Sequence, residues 1–241
     1  LLAKRPTHDE TANDLDGDIV NFFRVLRDRP DELTRLCALT PHSRAEYAAG
    51  RQDPAGCVGD VERARRWWVR LTQGRGGSPS NAGWRYNLAS SVGGSSMPGR
   101  LASWVGRMAP VAERLARVSL ECRPASDVIA AYGVHSTNLL YVDPPYLGAT
   151  RAQRDRYTHE MKGETEHRDL ATALQACRSA VVLSGYDSPL YAELYAGWDR
   201  VTSATETGNG KGDRSRVEVL WSNRPVARPA GLFDTDSATP E

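Results

Sequence analysis

The amino-acid sequence predicts a mixed α/β fold, and three observations support that prediction. Short apolar runs at 139–142 and 180–183 have the length of buried strands. Helical spacing of apolar residues fills the stretches around these runs, and helices dominate the first half of the chain. Because strands that alternate with helices pair into a sheet, we expect a parallel or mixed sheet with helices on both faces.

The first half of the chain is predicted to be mainly helical. Apolar residues recur at helical spacing over 19–27, and Pro30 ends that run. Ser43 and Glu46 form a capping-box pattern at the start of another helix. Helices are predicted over 19–27, 31–39, from Ser43 onward, over 61–73 and over 101–117, with a loop rich in Gly and Ser over 74–99. A loop of that length in a compact domain is often functional.

The second half alternates between short strands and helices. Strands are predicted over 118–122, 139–142, 180–183, 198–205 and 217–222, and helices over 125–132, 166–177 and 190–195. A Gly-rich turn separates the last two strands. The tail beyond Arg224 is rich in Pro and Ala, and we expect it to be disordered.

The composition is that of an ordinary soluble globular protein. With 241 residues, of which 40% are hydrophobic and 25% charged, the chain can bury one good core with an inserted subdomain. The formal net charge of +1 excludes an overall basic field but is compatible with a local basic cleft. Arginine greatly outnumbers lysine, a bias that suits phosphate or guanine contacts and also fits a GC-rich genome.

The cysteines and the hydropathy pattern indicate a cellular location. Cys37, Cys57, Cys122 and Cys177 are widely separated and form no C-x-x-C pair. They fit neither a zinc site nor a disulfide framework, which favours a reducing cytoplasm. Because no apolar run approaches the length of a membrane span and no signal peptide is recognisable, we expect no membrane association.

The most informative segment is Asp143-Pro144-Pro145-Tyr146, which follows the apolar strand at 139–142. In an open α/β sheet, ligands bind beyond the carboxyl ends of the strands. Two consecutive prolines fix the backbone and remove two N–H donors, so the carboxylate and the carbonyl groups remain as acceptors beside an aromatic ring. The alternative is a proline-rich turn in which Asp143 is a surface cap.

An acceptor pair beside an aromatic ring suits an exocyclic amine such as N6 of adenine. If the Asp143 carboxylate and the Pro144 carbonyl each accept an N6 hydrogen, the nitrogen is biased toward tetrahedral geometry and its lone pair can face a methyl sulfonium. Tyr146 would stack on the base after it has flipped out of the duplex. This chemistry requires no metal ion.

Several segments together resemble a known family. Asp143–Tyr146 is similar to the catalytic motif of amino-methyltransferases, and Asn13–Phe23 resembles the segment after the cofactor-binding glycine loop in the Dam-like (D12) adenine methyltransferases. Leu183–Tyr186 and Gly210–Trp221 are also similar to this family. The resemblance spans about residues 10–223 and implies a Rossmann-like methyltransferase sheet with a helical target-recognition insert.

The resemblance also implies a cofactor, S-adenosylmethionine, and residues that bind it. Asp14 matches the acidic residue that binds the ribose hydroxyls, although a helix N-cap cluster with Asp16 and Asp18 is a competing interpretation. A second acidic position near the adenine of the cofactor matches either Glu121 or Asp127, which flank Pro124.

One departure from the family concerns the N-terminal region. Dam-like enzymes carry a Phe-x-Gly-x-Gly-type loop before the ribose-binding acid, whereas the thirteen residues before Asp14 contain no glycine. We therefore expect a truncated sequence that binds S-adenosylmethionine poorly by itself. The expected organisation is a truncated N-terminal part of the methyltransferase domain (1–54), a target-recognition insert (55–117), the catalytic core (118–224) and a disordered tail (225–241).

Arginines in and around the predicted insert are candidates for DNA contact. The predicted DNA-binding residues are Arg70, Arg75, Arg85, Arg151 and Arg154. The alternative for the first of them is a solvated basic helix, on which Trp67 and Trp68 pack into the core. His42 and His135 belong to no catalytic pattern and are expected to lie on the surface.

The sequence therefore predicts a bacterial or phage-encoded cytoplasmic enzyme of a restriction-modification type. It would transfer a methyl group from S-adenosylmethionine to N6 of a flipped adenine in double-stranded DNA, as a monomer. Protein glutamine amides are disfavoured as substrates because enzymes that methylate them usually carry Asn in place of Asp before the prolines. The alternative is a non-catalytic DNA-binding remnant of such an enzyme from a phage or mobile element.

Overall fold

The computed structural model describes residues 8–52, 59–75, 83–86, 96–147, 161, 163–206 and 215–226. The chain forms two compact units. Unit 1 comprises Leu1–Val128 and Arg151–Met161, and unit 2 comprises Ile129–Thr150 and Lys162–Glu241. Within the described part of the chain, no helix is long and apolar enough to cross a membrane.

Unit 1 is mainly helical, with one pair of parallel strands. Its elements are β1 (Glu10–Asn13), α1 (Gly17–Asp28), α2 (Pro30–Leu39), α3 (Arg44–Arg51), α4 (Asp60–Gln73), α5 (Met97–Val105), α6 (Met108–Leu115) and β2 (Val118–Glu121). Helix α7 (Ala125–Tyr132) begins in this unit. In the β1–β2 pair, Glu10 lies opposite Val118 and Asn13 lies opposite Glu121, so the carboxyl ends of both strands coincide.

The core of unit 1 is formed by the apolar faces of its helices. The rings of Phe22 on α1 and Trp67 on α4 lie 4.8 Å apart between centroids, and both side chains are buried. Trp68 is buried as well, which confirms that the two tryptophans of α4 belong to the core. Their burial removes large apolar areas from water and stabilises the helical part of the unit.

Two elements of unit 1 differ from the prediction. Strand β1 was not expected, because its sequence Glu-Thr-Ala-Asn contains one apolar residue and therefore no readable alternation. The single helix predicted over 101–117 is two helices, because α5 ends at Val105 and α6 begins at Met108. Gly106 closes α5 with its N–H directed at the carbonyl groups of Ala102 and Trp104. Glycine is a poor interior helix residue, which favours a break at this position.

Unit 2 contains a mixed four-stranded sheet. Its elements are β3 (Leu139–Val142), α8 (Glu164–Gln175), β4 (Ala180–Tyr186), α9 (Pro189–Leu194), β5 (Asp199–Glu206) and β6 (Ser215–Ser222). The strand order is β3-β4-β6-β5. Strands β3 and β4 are parallel, and the other two pairings are antiparallel. The mixed α/β class predicted from the sequence is confirmed.

The core of unit 2 lies on the central strands of this sheet. Leu183 on β4, together with Val219 and Trp221 on β6, is buried. The prediction that 139–142 is a buried strand was wrong, because Leu139 is 62% exposed and Tyr141 is 43% exposed. Strand β3 is the edge strand of the four-stranded sheet, which explains why its side chains are less covered than those of β4.

Candidate active site

The Asp143–Tyr146 segment lies where β3 ends. Strand β3 pairs with β4 up to Val142, and the chain then continues through Asp143 without regular secondary structure. Asp143 is exposed, whereas Pro144 is buried and Pro145 is half-buried. The prolines anchor the turn on the protein and leave the Asp143 carboxylate accessible to a ligand.

A serine on the neighbouring strand holds the Asp143 carboxylate. The Ser184 hydroxyl donates to Asp143 Oδ1 at 2.8 Å. Ser184 Oγ also lies 3.3 Å from the carbonyl oxygen of Val142. Because Val142 pairs with Leu183 in the β3–β4 register, Ser184 is the next residue along β4 and reaches the end of β3. A hydrogen bond to an ionised carboxylate is stronger than one between neutral groups.

Tyr146 forms the aromatic part of this site. Its half-buried ring meets the edge of Tyr186, with 4.6 Å between centroids and 74° between ring planes. Burial, and then the carboxylates of Asp143 and Glu218, raise the pKa of the Tyr146 phenol well above its usual range, an effect that the Ser184 hydroxyl opposes. The phenol therefore stays protonated at physiological pH.

The strand beneath Tyr146 is tightly packed. A side-chain carbon added to Gly185 would lie 2.8 Å from the Tyr191 ring and 3.2 Å from the Trp221 ring, so no larger residue fits without a shift. The Tyr191 hydroxyl in turn lies 2.9 Å from Nδ1 of the buried His167. This packing fixes β4, the strand that carries Ser184 and Tyr186.

Three residues around the Asp143–Tyr146 segment could not be assigned roles from the sequence. Ser184 and Tyr186 come from β4, and Glu218 lies opposite Tyr186 in the β4–β6 register. The strand at 180–183 was predicted to end before them, and nothing in the sequence fixed its register against β3. A parallel pairing of 139–142 with 180–183 would have brought Ser184 next to Asp143.

Asp14 in unit 1 lies at the carboxyl end of β1. Its backbone N–H donates to the Glu121 carbonyl at 3.4 Å, so the predicted cofactor residues Asp14 and Glu121 are neighbours at the ends of two parallel strands. The exposed Asp14 side chain accepts a hydrogen bond from the Asp16 backbone N–H at 2.8 Å. The Glu121 carboxylate lies 3.2 Å from the guanidinium of Arg123.

The two other aspartates of this segment have separate structural contacts. Asp16 is the N-cap of α1 and accepts from the Asp18 backbone N–H at 2.8 Å. Asp18 forms ion pairs with Arg63 and Arg70 of α4. Because the N-cap is Asp16, the capping interpretation applies to Asp16, whereas Asp14 lies before the helix at the end of β1.

Asp127, the alternative to Glu121, lies in the first turn of α7. Its side chain is exposed, and its backbone N–H donates to the Pro124 carbonyl at 3.0 Å. Glu121 is the better placed of the two, because it lies directly beside Asp14.

The predicted DNA contacts Arg75 and Arg85 lie on a short antiparallel bridge between Gly74 and Trp84. The Arg75 N–H donates to the Gly83 carbonyl at 2.9 Å, and the Arg85 N–H donates to the Gln73 carbonyl at 2.7 Å. Gly83 has a φ of +75°, a conformation that favours glycine. The bridge holds both arginines at the base of the Gly- and Ser-rich loop.

An aromatic stack with two arginines surrounds this bridge. His42 stacks on Trp84 at 4.7 Å, and Trp84 stacks on Tyr86 at 5.6 Å. The Arg44 guanidinium lies 4.7 Å from the Trp84 ring centroid, and that of Arg75 lies 5.4 Å from the Tyr86 ring centroid, distances typical of cation–π contacts. We call these five residues the arginine–aromatic cluster.

The arginine–aromatic cluster corrects one prediction and extends another. His42 was expected to be an uninvolved surface residue, but it is half-buried in the stack and its Nε2 lies 3.0 Å from the Arg85 carbonyl oxygen. Arg44 was not predicted as a site residue, because its neighbours in space are forty residues away in the sequence. In the described part of the chain, Arg44, Arg75 and Arg85 have no carboxylate partner.

Arg70 differs from the other predicted DNA contacts. Its guanidinium is bound to the Asp18 carboxylate and to the Gly50 carbonyl, the latter at 3.2 Å, and its side chain is 14% exposed. These contacts join α4 to α1 and α3 and leave little of the guanidinium for phosphate. Arg151 and Arg154 lie outside the described residues.

Comparison with known proteins shows which family this chain is similar to. Residues 106–207 match the family model of the D12 class N6 adenine-specific DNA methyltransferases, and the matched segment contains β2, Asp143–Tyr146 and β4. Over this segment the chain is similar to this class of DNA adenine methyltransferases. The chain is also 26% identical over 227 residues to the Type II methyltransferase M1.LlaDCHI of Lactococcus lactis subsp. cremoris, a match that covers 88% of this chain and 78% of the relative.

The carboxylates of unit 1 fit the cofactor of this class, S-adenosylmethionine. Carboxylates are hydrogen-bond acceptors, and ribose presents two adjacent hydroxyl donors. Asp14 and Glu121 lie side by side at the carboxyl ends of two parallel strands, so the residue types present there fit a ligand with adjacent hydroxyl groups. In the residues that the structure describes, no group of three or more His, Cys, Asp or Glu side chains is placed to hold a metal ion.

Proposed function

We propose that this methyltransferase transfers a methyl group from S-adenosylmethionine to N6 of an adenine flipped out of double-stranded DNA. The observation that supports this most directly is the Asp143 carboxylate, which Ser184 holds at 2.8 Å beside the half-buried ring of Tyr146. An oriented acceptor beside an aromatic surface is what a planar base with an exocyclic amine requires.

The residues at the end of β3 would act by position and electrostatics. N6 of adenine is a poor nucleophile because its lone pair is delocalised into the ring. Asp143 and the Pro144 carbonyl would each accept one N6 hydrogen, and this would favour tetrahedral nitrogen with an available lone pair. Pro145 keeps the turn rigid, and Tyr146 would stack on the base. S-adenosylmethionine, when bound, supplies the electrophilic methyl group.

In unit 1, we propose that Asp14 accepts hydrogen bonds from the ribose hydroxyls of the cofactor. Glu121 or Asp127 would contact its adenine, and the position of Glu121 beside Asp14 favours Glu121. These carboxylates bind and orient the cofactor and take no part in the proton chemistry of the base.

The arginine–aromatic cluster is the proposed DNA-binding surface of unit 1. Arg75 and Arg44 would contact phosphates, with Arg85 beside them on the same bridge. The exposed Tyr86 offers a ring face that a base or sugar can cover. Arg70 is the weakest candidate because of its ion pair with Asp18. Arg151 and Arg154 remain predictions from the sequence.

We infer a restriction-linked role from the relative, which is named as a Type II methyltransferase. The proposed setting is the cytoplasm of a bacterium, or of a phage-infected cell, with the protein acting as a monomer. The alternative of a non-catalytic remnant is less favoured, since the matched segment retains Asp143–Tyr146 together with β2 and β4.

The test is a methylation assay with a matched pair of aspartate variants. The protein expressed from its complete reading frame is incubated with labelled S-adenosylmethionine and double-stranded DNA, and N6-methyladenine is measured by mass spectrometry. We expect Asp143→Asn to lower kcat by about 10²- to 10⁴-fold, the range for loss of one catalytic group.

The matched control for this assay is Asp187→Asn. Asp187 lies in the same unit and forms an exposed ion pair with Arg200 at 2.6 Å, so its replacement should leave kcat within about twofold, because such pairs contribute little. Absence of N6-methyladenine with the unaltered protein on a broad mixture of DNA sequences would refute the proposed function.

A further inference from the structure

We propose that Ser184 is a positioning residue for methyl transfer: its hydroxyl fixes the Asp143 carboxylate so that the second carboxylate oxygen faces the adenine N6. This inference rests on the proposed function. It assigns a role in catalysis to a residue that lies 41 positions away from Asp143 in the sequence.

The geometry favours donation to the carboxylate over donation to the backbone. A serine hydroxyl carries one hydrogen, and besides its contact with the Tyr146 phenol, Ser184 Oγ lies 2.8 Å from Asp143 Oδ1 and 3.3 Å from the Val142 carbonyl. The shorter contact is made with the charged group, and charge-assisted hydrogen bonds are the stronger ones. Ser184 therefore donates mainly to Asp143.

The environment of the hydroxyl makes this bond specific. Ser184 is 6% exposed, so little water competes for its hydrogen. The backbone on either side of it is fixed, because Leu183 pairs with Val142 and Gly185 packs against Tyr191. The buried Ser184 hydroxyl on β4 thus donates to the exposed Asp143 carboxylate.

The exposed Asp143 needs such a partner. The terminal torsion of an aspartate side chain is broad, so an exposed carboxylate without a fixed contact samples many orientations. Methyl transfer requires its acceptor oxygen at one position relative to N6, and a misplacement of about 1 Å can cost about 100-fold in rate. The Ser184 bond limits this sampling before the base arrives.

The experiment compares two buried serines of unit 2. Ser179 is fully buried, and its hydroxyl lies 3.0 Å from the Tyr132 carbonyl and 2.7 Å from the His135 carbonyl, neither of which belongs to the Asp143–Tyr146 segment. Ser184→Ala and Ser179→Ala therefore each remove one buried hydroxyl, but only the first removes a contact to Asp143. Steady-state methylation kinetics and thermal unfolding are measured for both variants in the full protein.

We expect Ser184→Ala to lower kcat and kcat/KM equally, by about 10- to 100-fold, with KM for DNA unchanged, because an interaction made in the transition state is lost. Ser179→Ala should lower the unfolding temperature at least as much and leave kcat within about twofold. Ser184→Thr retains the hydroxyl and should restore most of kcat, and Ser184→Cys, with a weaker donor, should give an intermediate kcat.

Apart from a normal kcat in Ser184→Ala, three outcomes would overturn the inference. They are equal losses of kcat in the two alanine variants, a rise of KM alone in Ser184→Ala, and a kcat in both Ser184→Thr and Ser184→Cys that is as low as that of Ser184→Ala. These results are distinguishable from failure of the proposed function, in which the unaltered protein itself produces no N6-methyladenine. A normal kcat in Ser184→Ala beside an active unaltered protein refutes the inference and leaves the function intact.

Discussion

The two groups of candidate site carboxylates are held in different ways. In unit 2, Asp143 is held by a buried side chain on a neighbouring strand, the Ser184 hydroxyl. In unit 1, Asp14 is held by the backbone N–H of Asp16, two residues further along the same chain segment. The proposed catalytic residue Asp143 is therefore positioned by tertiary structure, whereas the proposed cofactor-binding residue Asp14 is positioned by a local turn.

This difference fits the tasks proposed for the two residues. Cofactor binding needs a negatively charged acceptor at the end of the strand. The local turn in which the Asp14 carboxylate accepts the Asp16 backbone N–H provides such an acceptor. Catalysis on the base needs one oxygen at one position, and a fixed partner outside the turn provides that. We therefore expect the function of Asp14 to depend on its own charge. The function of Asp143 should depend in addition on the residues of β4 that hold it.

Among the variants that test this comparison between the two units, the largest effect is expected at Asp14. Asp14→Asn keeps the size of the side chain and the local turn but removes the charge, and loss of a hydrogen bond to a charged group costs about 1.5–3 kcal/mol, or roughly 10- to 150-fold in affinity. Calorimetric titration of S-adenosylhomocysteine into the full protein measures this loss of affinity.

Asp16→Asn is the control for the variant of Asp14. Asn caps a helix about as well as Asp, so this variant should keep both the stability of α1 and the affinity for the cofactor. If Asp14→Asn and Asp16→Asn bind the ligand equally well, the assignment of Asp14 to the ribose is wrong and the competing interpretation as a cap cluster gains support.

The next largest effect concerns stability and tests whether β4, the strand that carries Ser184, is rigidly packed. Gly185→Ala would place a methyl group 2.8 Å from the Tyr191 ring and 3.2 Å from the Trp221 ring. Overpacking of this kind destabilises by about 1–3 kcal/mol, which would lower the unfolding temperature by about 2–12 °C. Thermal unfolding followed by circular dichroism measures the change.

Gly106→Ala is the matched control for Gly185→Ala. Gly106 ends α5 with helical backbone angles, and an added carbon would meet its nearest neighbours at 3.6 Å, an ordinary contact distance. We expect no loss of stability there. A Gly185→Ala protein that unfolds at the temperature of the unaltered protein would show that the sheet beside Asp143 yields easily, and would weaken the comparison between the two units.

The sequence was most informative where local chemistry determines structure. The Asp143–Tyr146 segment could be recognised because two prolines after an apolar strand fix a rigid turn. The start of α1 was readable for the same reason, since its aspartates precede an apolar helical pattern. Strand β1 could not be predicted, because a short polar strand has no alternation and is defined by its pairing with β2.

Contacts between distant segments account for the other gaps. Ser184 reaches Asp143 through the register of β3 and β4, which short apolar runs do not specify. His42 and Arg44 meet Trp84 across forty or more positions of the sequence, so neither could be assigned to a cluster from the sequence alone. The exposure of β3 likewise follows from its position at the sheet edge, which composition does not reveal.

The smallest effect is expected on DNA binding by the arginines of unit 1. These arginines also differ in how they are held. Arg44 and Arg75 lie on aromatic rings without a carboxylate partner in the described part of the chain, whereas Arg70 is paired with Asp18. Arg44→Ala or Arg75→Ala should each weaken DNA binding several-fold across all sequences and reduce the slope of log K against log salt by about 1.

Arg70→Ala should instead lower the unfolding temperature, because it leaves the mostly buried Asp18 carboxylate with fewer partners, and should leave that salt slope unchanged. Fluorescence anisotropy with a labelled duplex at several salt concentrations, together with thermal unfolding, measures both quantities. If Arg70→Ala reduces the slope and Arg44→Ala does not, the DNA contacts lie on α4, and the arginine–aromatic cluster serves only to anchor the bridge between Gly74 and Trp84.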